Sequence, residues 1–118
     1  MDLLQFREYC LQKAAVTETL PFGPDTLVMK VGGKVFAATG LDEADFRVNL
    51  KCDPQRSPEL RDRYPEIVPG WHMNKKHWNT VYVGTGSLPE KLFRELIDHS
   101  YELVVAGMTK KLRAELGL

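Results

Sequence analysis

The sequence predicts an α+β fold in which helices pack on one face of an antiparallel sheet, giving a two-layer sandwich. Three observations support this class: helical spacing of apolar residues near both ends of the chain, alternation of apolar and polar residues between them, and the two-glycine turn Gly32-Gly33. The chain has 118 residues, of which 43% are hydrophobic. That length supports one core but not two, so we expect a single domain over residues 1–118.

The first helix is predicted from Leu3 to about Ala14, because apolar residues recur on one side of it. Asp2 and Gln5 have the spacing of a capping box, in which each side chain accepts a hydrogen bond from a free backbone N–H. This helix should end before Thr19, and the proline- and glycine-rich stretch at 21–24 predicts a loop.

Three strands are predicted next. Two of them flank the glycine turn as a hairpin, Leu27–Val31 and Lys34–Thr39. A regular hairpin would place Met29 opposite Phe36 on one face and Lys30 opposite Val35 on the other. The charged loop from Leu41 to Asp45 leads to the third strand, in which alternation directs Phe46, Val48 and Leu50 to the core and Arg47, Asn49 and Lys51 outward.

The second half of the chain predicts a short helix, a strand and two further helices. Ser57 is the expected cap of the short helix, with Pro58 in its first turn, and Pro65 should stop it near Tyr64. The later elements, in chain order, are a bend at Val68-Pro69-Gly70, a strand from Asn79 to Val83 with Thr80 and Tyr82 outward, a long helix that begins at the capping pair Ser87 and Glu90 and ends at Gly107, and a helix from Thr109 through Leu116.

Composition restricts the classes of function. The chain carries 16 basic and 16 acidic residues, which argues against a protein that coats DNA without specificity, since such proteins need a basic excess. Cys10 and Cys52 form no metal or redox motif, and their scarcity fits a reducing compartment. Neither a signal peptide nor an apolar stretch long enough to span a membrane is found, so a cytoplasmic location is expected.

The segment Pro69–Asn79 is the most unusual part of the sequence. It contains Trp71, Trp78, two of the three histidines and two lysines, and no acidic residue occurs from Ile67 through Pro89. Loops that concentrate aromatic and cationic side chains often bind a ligand. The alternative is that the tryptophans anchor the loop to the core while the lysines lie in water, and the sequence favours neither explanation.

This segment resembles the signature of the MmcQ/YjbR family, over the string Tyr64-Pro65-Glu66-Ile67-Val68-Pro69-Gly70-Trp71-His72-Met73-Asn74-Lys75-Lys76-His77-Trp78. The resemblance extends from about Leu3 to Lys111 and includes Pro21-Phe22-Gly23, Val48-Asn49-Leu50-Lys51 and Ser100-Tyr101-Glu102-Leu103-Val104. It implies a frataxin/CyaY-like α+β sandwich. It also implies DNA binding through a paired-wing surface of hairpins and loops, and it supplies no catalytic residues.

Two binding functions remain open. For DNA binding, lysine and arginine would neutralise phosphates, asparagine would donate to phosphate or to base edges, and an exposed Tyr82 or Trp71 would stack on an unpaired base. The candidate contacts are Arg47, Asn49, Lys51, Trp71, His72, Asn74, Lys75, Lys76, His77, Lys110 and Lys111. Arg113, close to the last two in sequence, is a further candidate. The alternative is a module for a small anionic ligand or a protein partner on the outward sheet face, which Val28, Val35 and Ala37 would share.

Catalysis, cofactors and metals are not indicated. His72 and His77 are spaced for neither one helical face nor one strand face, and no cysteine or carboxylate lies near them in sequence. His99 is expected at a helix surface beside Asp98. A frataxin-like fold raises the question of iron binding, which needs clustered oxygen ligands. The first helix carries only Glu8, however, and the acidic loop Asp42-Glu43-Asp45 is short. We therefore expect a binding protein without cofactor or metal.

Overall fold

The structure, a computed structural model, describes residues 1–42 and 44–118. The predicted acidic loop therefore lies partly outside the described residues, at Glu43. The helices of the described part are α1 (Leu3–Leu11), α2 (Ser57–Arg63), α3 (Glu90–Ala106) and α4 (Lys110–Glu115). Its strands are β1 (Val16–Thr19), β2 (Thr26–Val31), β3 (Lys34–Gly40), β4 (Arg47–Lys51), β5 (Ile67–Pro69) and β6 (Trp78–Tyr82).

The strands form one antiparallel sheet in the order β1-β2-β3-β4-β6-β5. Helices α1 and α3 pack on one face of it, where the rings of Phe6, Phe46 and Phe93 contact one another with centroids 5.8–6.4 Å apart. Val48 and Leu50 of β4 are buried in the same core, as their alternation predicted. The α+β class and the helix-covered antiparallel sheet are thus confirmed. We call the opposite side the outer face.

The hairpin of β2 and β3 contains a β-bulge that alternation did not predict. Lys30 pairs with Val35 as expected, but Met29 pairs with Ala37 instead of Phe36 because the register shifts between Met29 and Lys30. Phe36 and Ala37 are both completely buried, so the prediction that Ala37 points outward is wrong. Beyond an extra residue the alternation of a strand restarts with opposite phase, which leaves the next residues, Ala38 and Gly40, on the outer face.

Two edge strands were missed. β1 was not predicted, because the sequence indicated only that the first helix ends before Thr19. Val68-Pro69-Gly70 was predicted as a bend, whereas Ile67–Pro69 pairs with β6. These strands have 4 and 3 residues, too few to show alternation. A proline is tolerated at an edge because its missing N–H faces away from the sheet.

The helix ends agree with the predictions in part. The capping box of Asp2 and Gln5 and the Thr109 cap are present, and Gly107 follows the last residue of α3. Helix α1 ends at Leu11, earlier than predicted. The Ser57 prediction is wrong, because Arg56 holds the cap position and the Ser57 hydroxyl accepts a hydrogen bond from Asn79 Nδ2.

The predicted cap of α3 is also wrong. Ser87 makes no capping contact. Its backbone N–H donates to the Glu66 carboxylate at a distance of 3.0 Å, and Pro89 holds the cap position. Glu90 pairs with the Met1 amino group at 2.8 Å and with Arg94. Charge pairing with the Met1 amino group and with Arg94 thus uses the carboxylate that the sequence assigned to a capping box.

Candidate functional site

A cleft of about 520 Å³ lies on the outer face of the sheet. We call it the outer cleft. Its floor is formed by small or polar residues of the central strands, Ala38, Gly40, Asn49 and Thr80, and its walls by Phe22, Arg47 and Trp71 to Met73. Because α1 and α3 cover only the opposite face, the outer cleft is open to solvent above strands that a packed core holds rigidly from below.

The segment from Gly70 to His77, which we call the Trp71 segment, is attached to the outer face by hydrogen bonds at Trp71. The Trp71 N–H donates to Thr80 Oγ1 (2.9 Å), the Thr80 hydroxyl donates to Asn49 Oδ1 (2.5 Å), and Asn49 Nδ2 donates to the Trp71 carbonyl (3.2 Å). Thr80 is only 1% exposed because this segment covers it. Asn49 and Thr80 therefore do point outward, as predicted, but they hold the segment in place.

Further contacts fix the internal conformation of the Trp71 segment. Lys75 Nζ donates to the Gly70 carbonyl (3.1 Å), and Arg61 Nη2 donates to the Lys75 carbonyl (2.6 Å). Asn74 Oδ1 accepts from the Lys76 N–H (2.9 Å) in a local turn. The predicted contacts Lys75 and Asn74 thus have structural roles, whereas the Lys76 side chain is exposed.

Arg47 links the aromatic residues around the outer cleft. Its guanidinium carbon lies 5.3 Å from the Trp71 ring centroid and 5.9 Å from that of Tyr82, and Nη1 donates to the Tyr82 hydroxyl at 3.4 Å. A guanidinium at this distance from an aromatic ring is stabilised by the ring quadrupole. Tyr82 is half-buried, whereas Trp71 remains 50% exposed, so Trp71 is the ring available for stacking.

The structure brings some of the predicted site residues together and leaves others apart. Arg47, Asn49, Trp71 and His72 line the outer cleft. Lys51 is half-buried at the far end of β4, opposite Trp78, and the His77 carbonyl accepts from the Cys52 N–H.

The basic residues of α4 lie elsewhere. Met108 and Leu116, at either end of α4, reach Gly32 at the β2–β3 turn. Thr26 and Gly40, at the other end of those two strands, line the outer cleft. Lys110 and Lys111 are exposed on α4. They therefore belong to a different part of the surface, and the single basic surface implied by the candidate set does not form.

Phe22 is the residue of this site that the sequence reasoning missed. It lies in the loop between β1 and β2, is 80% exposed, and lines the outer cleft together with Trp71. The available signal was a large aromatic residue inside a proline- and glycine-rich loop, where no core position explains it.

Both cysteines are buried, and His99 forms a hydrogen bond within the fold. Burial raises the pKa of Cys10 to about 12 and also raises that of Cys52, so both thiols stay protonated at neutral pH. His99 Nε2 accepts from the Asp53 N–H at 3.2 Å. Within residues 1–42 and 44–118, no group of three or more His, Cys, Asp or Glu side chains could hold a metal ion. In that same part of the chain, no helix is long and apolar enough to cross a membrane.

The chain is similar to several bacterial proteins. YbdF of Escherichia coli is 47% identical over 91 residues, which cover 77% of this chain and 74% of YbdF. YjbR of Escherichia coli is 31% identical over 113 residues, covering 96% and 95% of the two chains. Both relatives are described as uncharacterised proteins.

Two solved structures share the fold. The crystal structure of a Deinococcus radiodurans protein with a DUF419 domain has a TM-score of 0.92 at 43% identity, over 98% of this chain and 88% of that one. A Pseudomonas syringae protein has a TM-score of 0.74 at 30% identity, over 87% and 98%. The YjbR family model matches residues 11–103, a range that includes β1 to β6, the outer cleft and most of α3. The chain belongs to the YjbR family.

Proposed function

We propose that this protein binds nucleic acid through the outer cleft and the Trp71 segment, and that it is a binding protein and not an enzyme. The observation that carries the proposal is the half-exposed Trp71 ring, held on the sheet beside the Arg47 guanidinium. An aromatic ring and a cation at one opening offer the two interactions that a nucleic acid uses most, base stacking and phosphate neutralisation.

The charge distribution supports the same site. The net charge of the chain is zero, but no acidic residue occurs from Ile67 through Pro89, which includes the whole Trp71 segment. Lys76 and His72 are exposed there. Since few cations take part, we expect weak to moderate affinity that falls as the salt concentration rises.

Fluorescence anisotropy of labelled single-stranded and duplex DNA, at low and near-physiological salt, tests the proposal. Lys76→Ala should weaken binding and reduce the slope of log affinity against log salt by about one unit, because one phosphate contact is lost. The matched control is Lys110→Ala/Lys111→Ala, which removes exposed lysines from α4 and should leave binding unchanged. Absence of binding at tens of micromolar protein and low salt would refute the proposal.

A small anionic ligand is the second candidate, and the volume of the outer cleft favours it. About 520 Å³ lies within the usual range of small-molecule sites, roughly 300–1,000 Å³. The dependence of affinity on length separates the two candidates. A nucleic-acid site should bind longer oligonucleotides more tightly, whereas a small-ligand site should be saturated by a mononucleotide or another small anion.

A further inference from the structure

We propose that Phe22 and Trp71 form a clamp that holds one unpaired base of a single-stranded nucleic acid over the floor of the outer cleft. This inference rests on the proposed nucleic-acid binding and specifies the substrate class. Among the described residues, the exposed large hydrophobic side chains are Leu4, Leu20, Phe22, Leu41 and Trp71. The two aromatic members are far apart in sequence, yet both line the outer cleft.

The floor of the outer cleft suits a flat ligand where β3 forms it. Ala38 and Gly40 face outward there, and Gly40 pairs with Thr26, so on β3 only a methyl group and a glycine lie between a ligand and the strand backbone. The β-bulge in the hairpin creates this arrangement by directing Phe36 and Ala37 into the core. A planar ring can therefore approach β3 closely, with Phe22 and Trp71 among the residues that line the cleft around it.

The polar groups of the floor predict how the base is recognised. Thr80 Oγ1 and both polar atoms of the Asn49 side-chain amide already take part in the hydrogen bonds that hold Trp71. These bonds fix the orientation of the amide and leave one Nδ2 hydrogen and one Oδ1 lone pair, so few groups of the floor can read a base edge. Recognition should therefore depend on the π face of the base, which every nucleobase has, and should show little sequence preference.

The same geometry predicts a preference for single strands. In a duplex each base is paired and stacked, and it could enter the outer cleft only after being flipped out of the helix, at a cost of a few kcal/mol. For an unpaired base the free-energy cost of entering the outer cleft is much lower. Arg47 beside the Trp71 ring places positive charge at the outer cleft, where the phosphates that flank a clamped base would lie.

The test measures anisotropy of a labelled single-stranded oligonucleotide, of its duplex, and of an oligonucleotide of the same length with abasic sites. We expect the single strand to bind more tightly than the duplex. Phe22→Ala should weaken single-strand binding roughly tenfold or more, as loss of one stacked base does. Leu4→Ala, which removes another exposed apolar side chain outside the outer cleft, should have no effect.

Tryptophan emission adds a second readout. A base stacked on Trp71 should quench its fluorescence, and Trp71→Phe should remove that quenching while retaining most of the affinity, because a phenyl ring still stacks. The circular dichroism spectrum of Phe22→Ala should match that of the wild type, since the Phe22 side chain is 80% exposed and its loss leaves the core intact.

The outcomes separate this inference from the function on which it rests. The clamp is refuted, and nucleic-acid binding stands, if Lys76→Ala weakens binding but Phe22→Ala binds the single strand as tightly as the wild type does. The same conclusion follows if Lys76→Ala weakens binding but the wild type binds the abasic oligonucleotide or the duplex as tightly as the intact single strand. If no oligonucleotide binds, both fail. If a nucleoside monophosphate binds as tightly as the oligonucleotide, the ligand is a free nucleotide and the single-strand proposal is overturned.

Discussion

The Glu66 side chain is a carboxyl group in a buried position. It is only 7% exposed, and Oε1 accepts the Ser87 N–H, while Oε2 has no hydrogen-bond partner among the described residues. Gly86 packs directly over it, since a Cβ at that position would lie 2.0 Å from Oε1. The absence of a side chain at Gly86 is therefore what allows the carboxylate to reach Ser87.

Gly86→Ala should lower the free energy of unfolding by about 1–3 kcal/mol, because the new methyl group must displace a buried carboxylate and break its hydrogen bond. Urea unfolding of the variant measures this loss. Gly107→Ala is the matched control, since its nearest neighbours would lie 3.6 Å from the new Cβ, and its stability should change little.

A double-variant cycle identifies the cause. In a Glu66→Ala background the methyl group meets no carboxylate, so Gly86→Ala should cost much less there than in the wild type. An equal cost in both backgrounds would show that the strain arises from the backbone of the loop and not from Glu66.

Strand alternation gave the direction of most site side chains but not their assembly. Arg47 and Asn49 were predicted to point outward from the pattern of β4, and they line the outer cleft with Trp71. Phe22 belongs to a loop without periodicity, and its approach to Trp71 depends on the whole sheet. Lys110 was grouped with the site by charge alone, and charge contains no information about which surface an element occupies.

The Trp71 segment shows how an irregular element is held by a sheet. Two hydrogen bonds, to Thr80 and from Asn49, attach its first turn to the outer face, and a third joins Thr80 to Asn49. Gly70 contacts the Trp78 backbone so closely that a Cβ would lie 3.0 Å from the Trp78 carbonyl oxygen. The segment therefore belongs to the rigid part of the molecule although it has no regular secondary structure.

Asn49→Ala should loosen the Trp71 segment and destabilise the fold by about 1–3 kcal/mol, because the Thr80 hydroxyl and the Trp71 carbonyl lose their partners. We expect a lower urea midpoint together with a red shift of tryptophan emission at zero denaturant. Asn74→Ala, which alters an exposed turn in the same segment, should cost less than half as much. Equal effects of the two variants would contradict the anchoring role of Asn49.

Elements were predicted where several residues share one pattern and missed where a few residues depend on a neighbour. α1, α3 and β4 were recognisable from periodicity, and the apolar side chains on their inner faces are buried as expected. β5 exists because its three residues pair with β6. Ser87 has the sequence of a cap, but Glu66, distant in sequence, binds its N–H first.

At the scale of the whole molecule, two groups beside the core resist deprotonation. Burial raises the pKa of Cys10 from 9.0 to about 12. Burial and the hydrogen bond to Asp98 raise the pKa of Tyr9 from 10.0 to about 12. Between these values the unfolded chain loses protons that the folded chain retains. The stabilisation is therefore fully present below about pH 9 and decreases as the pH rises towards about 12.

We expect the free energy of unfolding to be lower at about pH 10.5 than at about pH 8. Urea titrations at the two pH values measure the difference. Cys10→Ala lacks the Cys10 thiol, so its stability should fall less between them, whatever the cost of the substitution at neutral pH. An unchanged difference in Cys10→Ala would assign the alkaline effect to other groups.

The β-bulge at Phe36 has a consequence for deletion scanning and for natural variation in chain length. β3 carries one residue more than regular pairing with β2 requires. If Phe36 were deleted, Val35 and Ala37 would keep their partners Lys30 and Met29, and Ala38 would still face outward. The buried Phe36 side chain would be lost, together with the hydrogen bond that its carbonyl accepts from the Ser100 hydroxyl. A deletion within β4, which pairs without interruption on both sides, would exchange its inward and outward residues. Removal of this residue from β3 should therefore keep the direction of the flanking side chains, whereas a one-residue deletion in β4 should reverse the direction of the side chains on one side of it.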